Sequence, residues 1–401
     1  MKTVFDLREK QDGEMIDTIQ NLYDEPLNVV RLGEQSITAC IGCWTCWLRT
    51  PGQCIMKDEM AEFYPAYTTS DTVILLMDTA QGFINHLAKA FIDRTIPHYH
   101  PYIELVDGEC HHVARYKSYP DMVFHFDTEG LTNQEEQLIE DYLVRTAYHH
   151  RSKAYRIIKD GSLQLRPLES RTAKNQVVAF ASLEPMEKLV IYNGSPRKKG
   201  SNSALILKQT LEALGDRVEI RDLKKRDQWQ QWSEAFKCEK HVMFFMPLYV
   251  HAMPSHVMAF IELLQASQGS ISFFVQSGFP ESSQSHYLEA YFEQLALRLG
   301  RTYLGTAIKG GIEGLQMRPT VAQAKMMEPM VKTIENLVND GNFNSADIQQ
   351  LAIPIRFGRG QEIIMKILTK IGLVNYFLWD LQLKKNQAYK KRFDRPYSQK
   401  V

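Results

Sequence analysis

The chain has 401 residues, 44% of them hydrophobic and 23% charged, a length and composition that suit two or three soluble globular domains, each with its own core. Its 47 Lys and Arg balance 47 Asp and Glu, so neither a basic nucleic-acid-binding surface nor an acidic tail is announced, and no nucleic-acid partner is expected. Met1-Lys2-Thr3-Val4-Phe5 enters a strand pattern at once and is followed by charges, which leaves no secretory h-region and gives the expectation of a cytoplasmic protein.

In chain order, strand-like runs fall near residues 2–7, 27–32, 72–77 and 122–126, with helical patterns between them. After the second run come Cys40, Cys43, Cys46 and Cys54, spaced C-x2-C-x2-C-x7-C. Two x2 spacings put three sulfurs on one tight loop, and a returning Cys54 can close a set of four soft ligands. A reducing compartment disfavours structural disulfides, so an iron-sulfur cluster, zinc, or a packed loop of empty thiols are the readings left open. Cys110 and Cys238 are isolated and read as inert. His98, His100, His111, His112, His149 and His150 lack a metalloenzyme spacing such as HExxH and read as surface or capping residues. Residues 133–148 have an amphipathic helical period, and 151–186, with Pro167 and Pro185 as breakers, read as a connecting segment.

The segment 71–94 aligns without a gap with 240–263, so that Val73, Met77, Ala90, Phe91 and Ile92 meet Val242, Met246, Ala259, Phe260 and Ile261. Each copy is an apolar run suited to a doubly buried strand, then a loop, then a helical period. The chain therefore reads as a tandem duplication, whose second copy has strands near 188–192, 217–222, 241–246, 271–276 and 302–307. Strands alternating with helices predict parallel sheets covered on both faces, an α/β fold.

Gly194-Ser195-Pro196-Arg197-Lys198-Lys199-Gly200-Ser201-Asn202-Ser203 joins the first strand of the rear half to a helix. A strand, a small-residue loop and a helix N-terminus make an anion cradle. GxGxxG and the Gly-Lys-Ser/Thr ending of a P-loop are both absent, which leaves a single terminal phosphate as the expected occupant. Two further strand-end loops follow, Pro247-Leu248-Tyr249-Val250-His251-Ala252-Met253-Pro254 and Gln276-Ser277-Gly278-Phe279-Pro280, and Gly310-Gly311-Ile312-Glu313-Gly314 lies beyond them. In the region 363–379 an apolar run is interrupted by Lys366 and Lys370 and is followed by a basic end. It fails the length test for a membrane span and reads as a helix over a domain surface or an oligomer contact, with a peripheral anchor as the alternative.

The phosphate loop, with Ser195, Arg197, Ser201, Asn202 and Ser203, resembles that of the flavodoxin-like NAD(P)H-dependent FMN reductases, in which it holds the FMN 5′-phosphate. The loop with Pro247, Leu248, Tyr249 and Val250 is similar to the family's loop under the flavin ring, and Gln276, Ser277 and Gly278 would border the ring's polar edge. The cysteine loop, together with Lys57-Asp58-Glu59-Met60, resembles that of the iron-sulfur flavoproteins, which implies Cys40, Cys43, Cys46 and Cys54 as ligands of a 4Fe-4S cluster. The resemblance implies two flavodoxin-like doubly wound parallel sheets in tandem plus a C-terminal helical extension. The boundaries are 1–150 with the cysteine loop and no FMN, 151–186 connecting, 187–345 binding FMN, and 346–401 helical. It implies the two halves packed as a pseudo-dimer, cysteines toward flavin. The implied activity is an FMN-dependent oxidoreductase with NAD(P)H as donor and a small-molecule electron acceptor such as a quinone or nitroaromatic. The other class left open is a flavin-carrying electron-transfer or redox-sensing protein served by a ferredoxin-like carrier. A homo-oligomer fits either. The family's basic residue in the helix after the second loop is missing, Met258 standing where the front half has Lys89.

Overall fold

The computed structural model describes residues 1–11, 13–31, 37–166, 168, 183–197, 200–370 and 376–398. The chain divides into a front unit, residues 1–171 with 358–401, and a rear unit, residues 172–357.

The rear sheet has the spatial order Val218–Asp222, Leu189–Asn193, His241–Pro247, Ser270–Gln276, Thr302–Lys309, all parallel. In order of appearance this is 2-1-3-4-5, the flavodoxin arrangement. Strands such as HVMFFMP and SISFFVQ are buried nearly end to end, with apolar centres, because helices cover both faces. Phe244, Phe245, Phe273 and Phe274 are fully buried, each contributing about 1.5–3 kcal/mol of transfer free energy. Helices Asn202–Leu214 and Thr320–Asp340 close one face, where Leu189, Ile191, Ile206, Met330 and Ile334 share a core. Since the strand order reverses between Leu189–Asn193 and His241–Pro247, the loops leaving these two strands diverge and open a crevice at their carboxyl ends.

The front sheet runs Asn28–Arg31, Lys2–Asp6, Thr72–Met77, Asp121–Phe126, Tyr155–Lys159, Ser162–Arg166. Leaving aside two hairpins outside it, the first five strands are parallel and repeat the order 2-1-3-4-5, and the sixth is antiparallel. Its core holds Val4, Ile19, Ile74, Leu76, Val123 and Ile158.

Two expected boundaries are corrected. The segment 151–186 does more than connect: Tyr155–Lys159 and Ser162–Arg166 complete the front sheet, joined by a tight turn with φ of 52° at Asp160 and 66° at Gly161. Both values are positive, as a type I′ hairpin requires. Pro167 lies outside the described residues. The C-terminal extension, expected as one piece from 346, is divided. Helix Ser345–Leu351 packs on the rear strand Thr302–Lys309, whereas Gly358 onward belongs to the front unit. There Trp379 and Tyr376 join Tyr102, Leu48 and Leu383 in a small core. Among the described residues no helix is long and apolar enough to cross a membrane.

Candidate functional site

In the rear unit Asn193 ends its strand by donating to Asp222 Oδ1 at 2.6 Å and accepting from the Ser195 N–H at 3.1 Å, which fixes the turn that follows. Gly194 has no room for a side chain: a Cβ would stand 2.7 Å from Val257 Cγ2 and 2.9 Å from Met246 Cβ. Ser201 caps the next helix, its Oγ accepting from the Ala204 N–H at 3.1 Å and donating to Ser195 Oγ at 2.8 Å. The main-chain N–H groups of Asn202 and Ser203, first in the helix, have no partner among the described residues. Two hydroxyls, two orphan donors and the positive end of a helix dipole are thus gathered with Arg197, whose Nη1 reaches the Gly200 carbonyl at 3.4 Å. Lys198 and Lys199 lie outside the described residues.

The second and third loops meet at the Gln276 carbonyl, which accepts from Leu248 N at 2.8 Å. After Pro247 and Leu248, Tyr249 and Ala252 exchange main-chain bonds of 2.9 and 3.0 Å around Val250 and His251, at φ of 40° and 59°. A β-branched valine at positive φ is strained, and such strain persists where surrounding structure enforces it. The Gln276 amide donates to Ser203 Oγ, tying the third loop to the phosphate loop. Its Oε1 is buried with no hydrogen-bond partner among the described residues, an acceptor without a donor at the carboxyl end of a central strand. Ser277 donates to the Phe279 carbonyl at 3.0 Å, and Gly278 packs so closely that a Cβ would lie 2.9 Å from Glu313 Oε2.

Glu313 was not singled out by the sequence, where it is one acid in a glycine-rich run. Burial pushes its carboxyl up to about 7, against the pull of Arg197. The Asn202 amide donates to the neighbouring Ile312 carbonyl at 2.6 Å, so this fourth loop closes over the cradle. Between pH 4.5 and 7 the folded state holds a proton the unfolded chain has released, so this group's contribution to stability falls as pH rises through that window. The charged form also opposes a phosphate in the adjoining cradle. FMN affinity, measured by fluorescence titration, is expected to weaken severalfold from pH 6 to pH 8, and Glu313→Gln is expected to flatten that dependence.

In the front unit the cysteine loop is clamped at its base. The Arg94 guanidinium donates to the Thr38 carbonyl at 2.7 Å and to both carboxylate oxygens of Asp58 at 2.7 and 2.9 Å, while Asp58 accepts from the Thr38 N–H. That fork joins the two ends of the segment carrying all four thiols. Left-handed backbone at Gly42 and Trp44 turns the chain sharply between the first cysteines, and Trp47 donates its indole N–H to the Tyr99 carbonyl at 3.0 Å. Cys46 is buried, Cys40 and Cys54 half-buried, Cys43 exposed. Burial pushes the Cys40 thiol up to about 12 and Cys46 well above its ordinary value, and Cys46 also feels Cys40, Cys54 and Cys43. Arg94 and Arg115 are the cations acting on these two sulfurs. Sequence reasoning missed both arginines; Asp58, in the stretch after Cys54, was the available signal.

Among the described residues, the His, Cys, Asp and Glu groups whose ligand atoms lie within 4.8 Å of one another amount to Glu109, His111 and His149. No three cysteine sulfurs are gathered as closely as a zinc ion requires, with Zn–S near 2.3 Å. The Glu109 triad already holds a cation: Arg145 Nη2 donates to Glu109 Oε2 at 2.6 Å and to His149 Nε2 at 3.2 Å, beside His111 stacked on His149 at 3.9 Å.

Of these histidines His150 does cap a helix, following Asn133–His149 with its ring Nδ1 2.8 Å from the Thr146 carbonyl, but the expected surface placement is corrected. His98, His100, His111 and His150 are buried, His98 stacked on Tyr67 and His150 edge-on to Tyr99. Burial lowers His98, His100 and His111 to about 3 and His112 and His150 to about 4. The unfolded chain therefore takes up protons below about pH 6.5 that the folded unit refuses, and stability is lost as pH falls from there. Far-UV circular dichroism against pH is expected to show the front unit unfolding on the acid side well before carboxylate titration is complete.

No protein-family model matches the chain. Over 71 residues it is 34% identical to an iron-sulfur flavoprotein of Archaeoglobus fulgidus, a stretch that covers 18% of this chain and 31% of that protein. The chain resembles the iron-sulfur flavoproteins. It spans less than a third of that relative's length. Solved structures similar to it include an FMN-dependent NADH-azoreductase of Bacillus anthracis in complex with FMN (14% identity, 38% of this chain and 100% of that one, TM-score 0.30). Another is general stress protein 14 of Treponema denticola in complex with FMN (14%, 36% and 98%, TM-score 0.29).

Proposed function

We propose that the chain is an FMN-dependent oxidoreductase whose flavin is held by the rear unit and whose front unit holds a four-iron cluster. The observation that carries the flavin reading is the set of polar groups gathered at the carboxyl ends of the rear strands. Two N–H groups and a buried Gln276 Oε1 have no partner among the described residues; the N–H groups, with two serine hydroxyls, suit a phosphate, and the Oε1 suits a ring N–H. Ser195, Arg197, Ser201, Asn202 and Ser203 would hold the phosphate. Pro247, Leu248, Tyr249, Val250, Gln276, Ser277 and Gly278 would border the ring. FMN, when bound, supplies both hydride and single-electron chemistry. The protein's share is to bind it, to hold the strained Val250–His251 turn in place, and to keep the Glu313 proton near neutrality.

The four thiols fit a cluster by donor type and by the arginines at hand to offset negative charge. The relative's name supports the same reading. Cys40, Cys43, Cys46 and Cys54 would be the ligands, and since Cys40 and Cys46 are held protonated by burial, loading would release protons.

NAD(P)H is the proposed donor and a quinone or nitroaromatic the proposed acceptor. One observation favours the reading in which a ferredoxin-like carrier replaces NAD(P)H. Met258 is buried in the helix after the second loop, and its counterpart Lys89 is itself buried in an ion pair with Asp93, so neither offers a cation to a nicotinamide nucleotide. Anaerobically purified protein is expected to carry FMN, iron and acid-labile sulfide. Bleaching of the flavin by NAD(P)H supports the oxidoreductase; reduction only by dithionite or ferredoxin supports the carrier-fed form. Absence of flavin from protein incubated with FMN defeats both.

A further inference from the structure

Two helices of the front unit, Arg359–Lys370 and Tyr376–Lys385, pack against the strand Tyr99–Val106 yet turn apolar side chains outward. On the first, Met365 and Leu368 are half-buried, whereas Ile363, Ile364 and Ile367 are 56–58% exposed; on the second, Trp379 and Leu383 face the protein while Phe377, Leu378 and Leu381 are 48–57% exposed. Both outward sets have the spacing i, i+1, i+4, which at 100° per residue occupies one narrow stripe. Soluble helices place such stripes against the core, and these two do the reverse.

Charge says what covers them. Within 358–401 ten Lys or Arg stand against three Asp or Glu, while the whole chain is neutral, so the positive excess is concentrated here and the remainder is acidic. Lys366 and Lys370 flank the isoleucine stripe, and Lys384 and Lys385 continue the Phe377 stripe by a turn; all four are exposed. Lys366 is paired with Glu362 at 2.7 Å, which leaves the excess nearly intact. Protein–protein interfaces are depleted in lysine at their centres. An apolar stripe edged by lysines whose stems can lie along it fits an interface of hydrocarbon below and anionic headgroups above.

We propose that these two helices dock the front unit in the plane of an anionic lipid bilayer, their Ile and Phe/Leu stripes entering the acyl boundary and their lysines engaging the headgroups. The proposal is independent of the flavin and cluster readings, since lipid binding is read without either.

The test is co-sedimentation of the full chain with phosphatidylcholine vesicles and with mixed phosphatidylcholine–phosphatidylserine vesicles. Wild type is expected to pellet with the mixed vesicles and to be released by salt. The double substitution Ile364→Glu, Leu378→Glu is expected to lower partitioning by about tenfold or more, because both changes put charge into hydrocarbon. Replacing Lys366, Lys370, Lys384 and Lys385 by Gln should remove the preference for phosphatidylserine. Unchanged far-UV circular dichroism shows that the variants fold. Wild type left in the supernatant overturns the proposal, as does equal pelleting of the Glu variant. So does a lipid-free dimer that the Glu variant converts to monomer, since a second copy would then be the occupant.

Discussion

Cys43→Ser is expected to bring iron and acid-labile sulfide in anaerobically purified protein down to background while FMN stays stoichiometric. Cys43 is the exposed member of the four, so the change removes a ligand without opening a cavity, and the melting temperature of the metal-free protein should move little. Three remaining thiols cannot complete a four-cysteine set, and Cys40, pushed up to about 12 by burial, is a poor ligand until its proton is lost. Asp58→Asn, which weakens the fork that joins the ends of the loop, should give partial loading, recoverable by reconstitution with iron and sulfide. Wild type free of both elements under anaerobic handling, or a Cys43→Ser protein that keeps them, removes the cluster from the proposal and leaves the flavin untouched.

The second large effect is one of stability. Arg145 and Glu109 are both fully buried and joined at 2.6 Å. Arg145→Met leaves a carboxylate in the interior with no guanidinium, and removing one partner of such a pair costs about 3–5 kcal/mol. Chemical denaturation followed by fluorescence should show a front-unit transition at lower denaturant and the rear unit unchanged, because the two halves carry separate cores. Adding Glu109→Gln is expected to recover much of the loss, since the stranded charge is then gone. The alternative occupant of this triad, a divalent metal bound by Glu109, His111 and His149, predicts the opposite: Arg145→Met would become more stable on addition of zinc.

The parts of the fold legible in the sequence were those whose signal is local. Strands such as VILLM and VMFFM announce themselves because a doubly buried strand must be apolar at every position. The phosphate loop was legible because backbone approach and helix capping demand small and hydroxyl residues in a fixed order. Two hairpins were missed although each carries the strongest local marker, an Asp-Gly pair between alternating apolar residues. Asp107-Gly108 and Asp160-Gly161 all have positive φ. The histidine clusters misled for a different reason. Their burial depends on partners far away in the chain, with Tyr397 stacked on Tyr64 and edge-on to His98, and Phe393 edge-on to His100. Arg94 and Arg115 escaped notice likewise, since the clamp at the cysteine loop and the bonds from Arg115 to the Arg392 and Asp394 carbonyls join residues 36 to 279 positions apart. Glu313 had no marker at all; its elevated carboxyl arises from Gly278 offering no side chain, which lets the acid settle in a dry niche.

The return of residues 358–398 to the unit begun by Met1 bears on how the protein is made. Trp44, Trp47 and Tyr102 are covered by Trp379 and Tyr376, and Arg115 is satisfied by carbonyls near residue 394. A nascent chain exposes the cysteine loop and these aromatic rings until residues 376 to 394 have been made, by which time the intervening module has had time to fold on its own contiguous stretch. The front module, begun before the rear one, is therefore completed after it, and its cysteine loop stays open to solvent for as long as the rear module takes to be made.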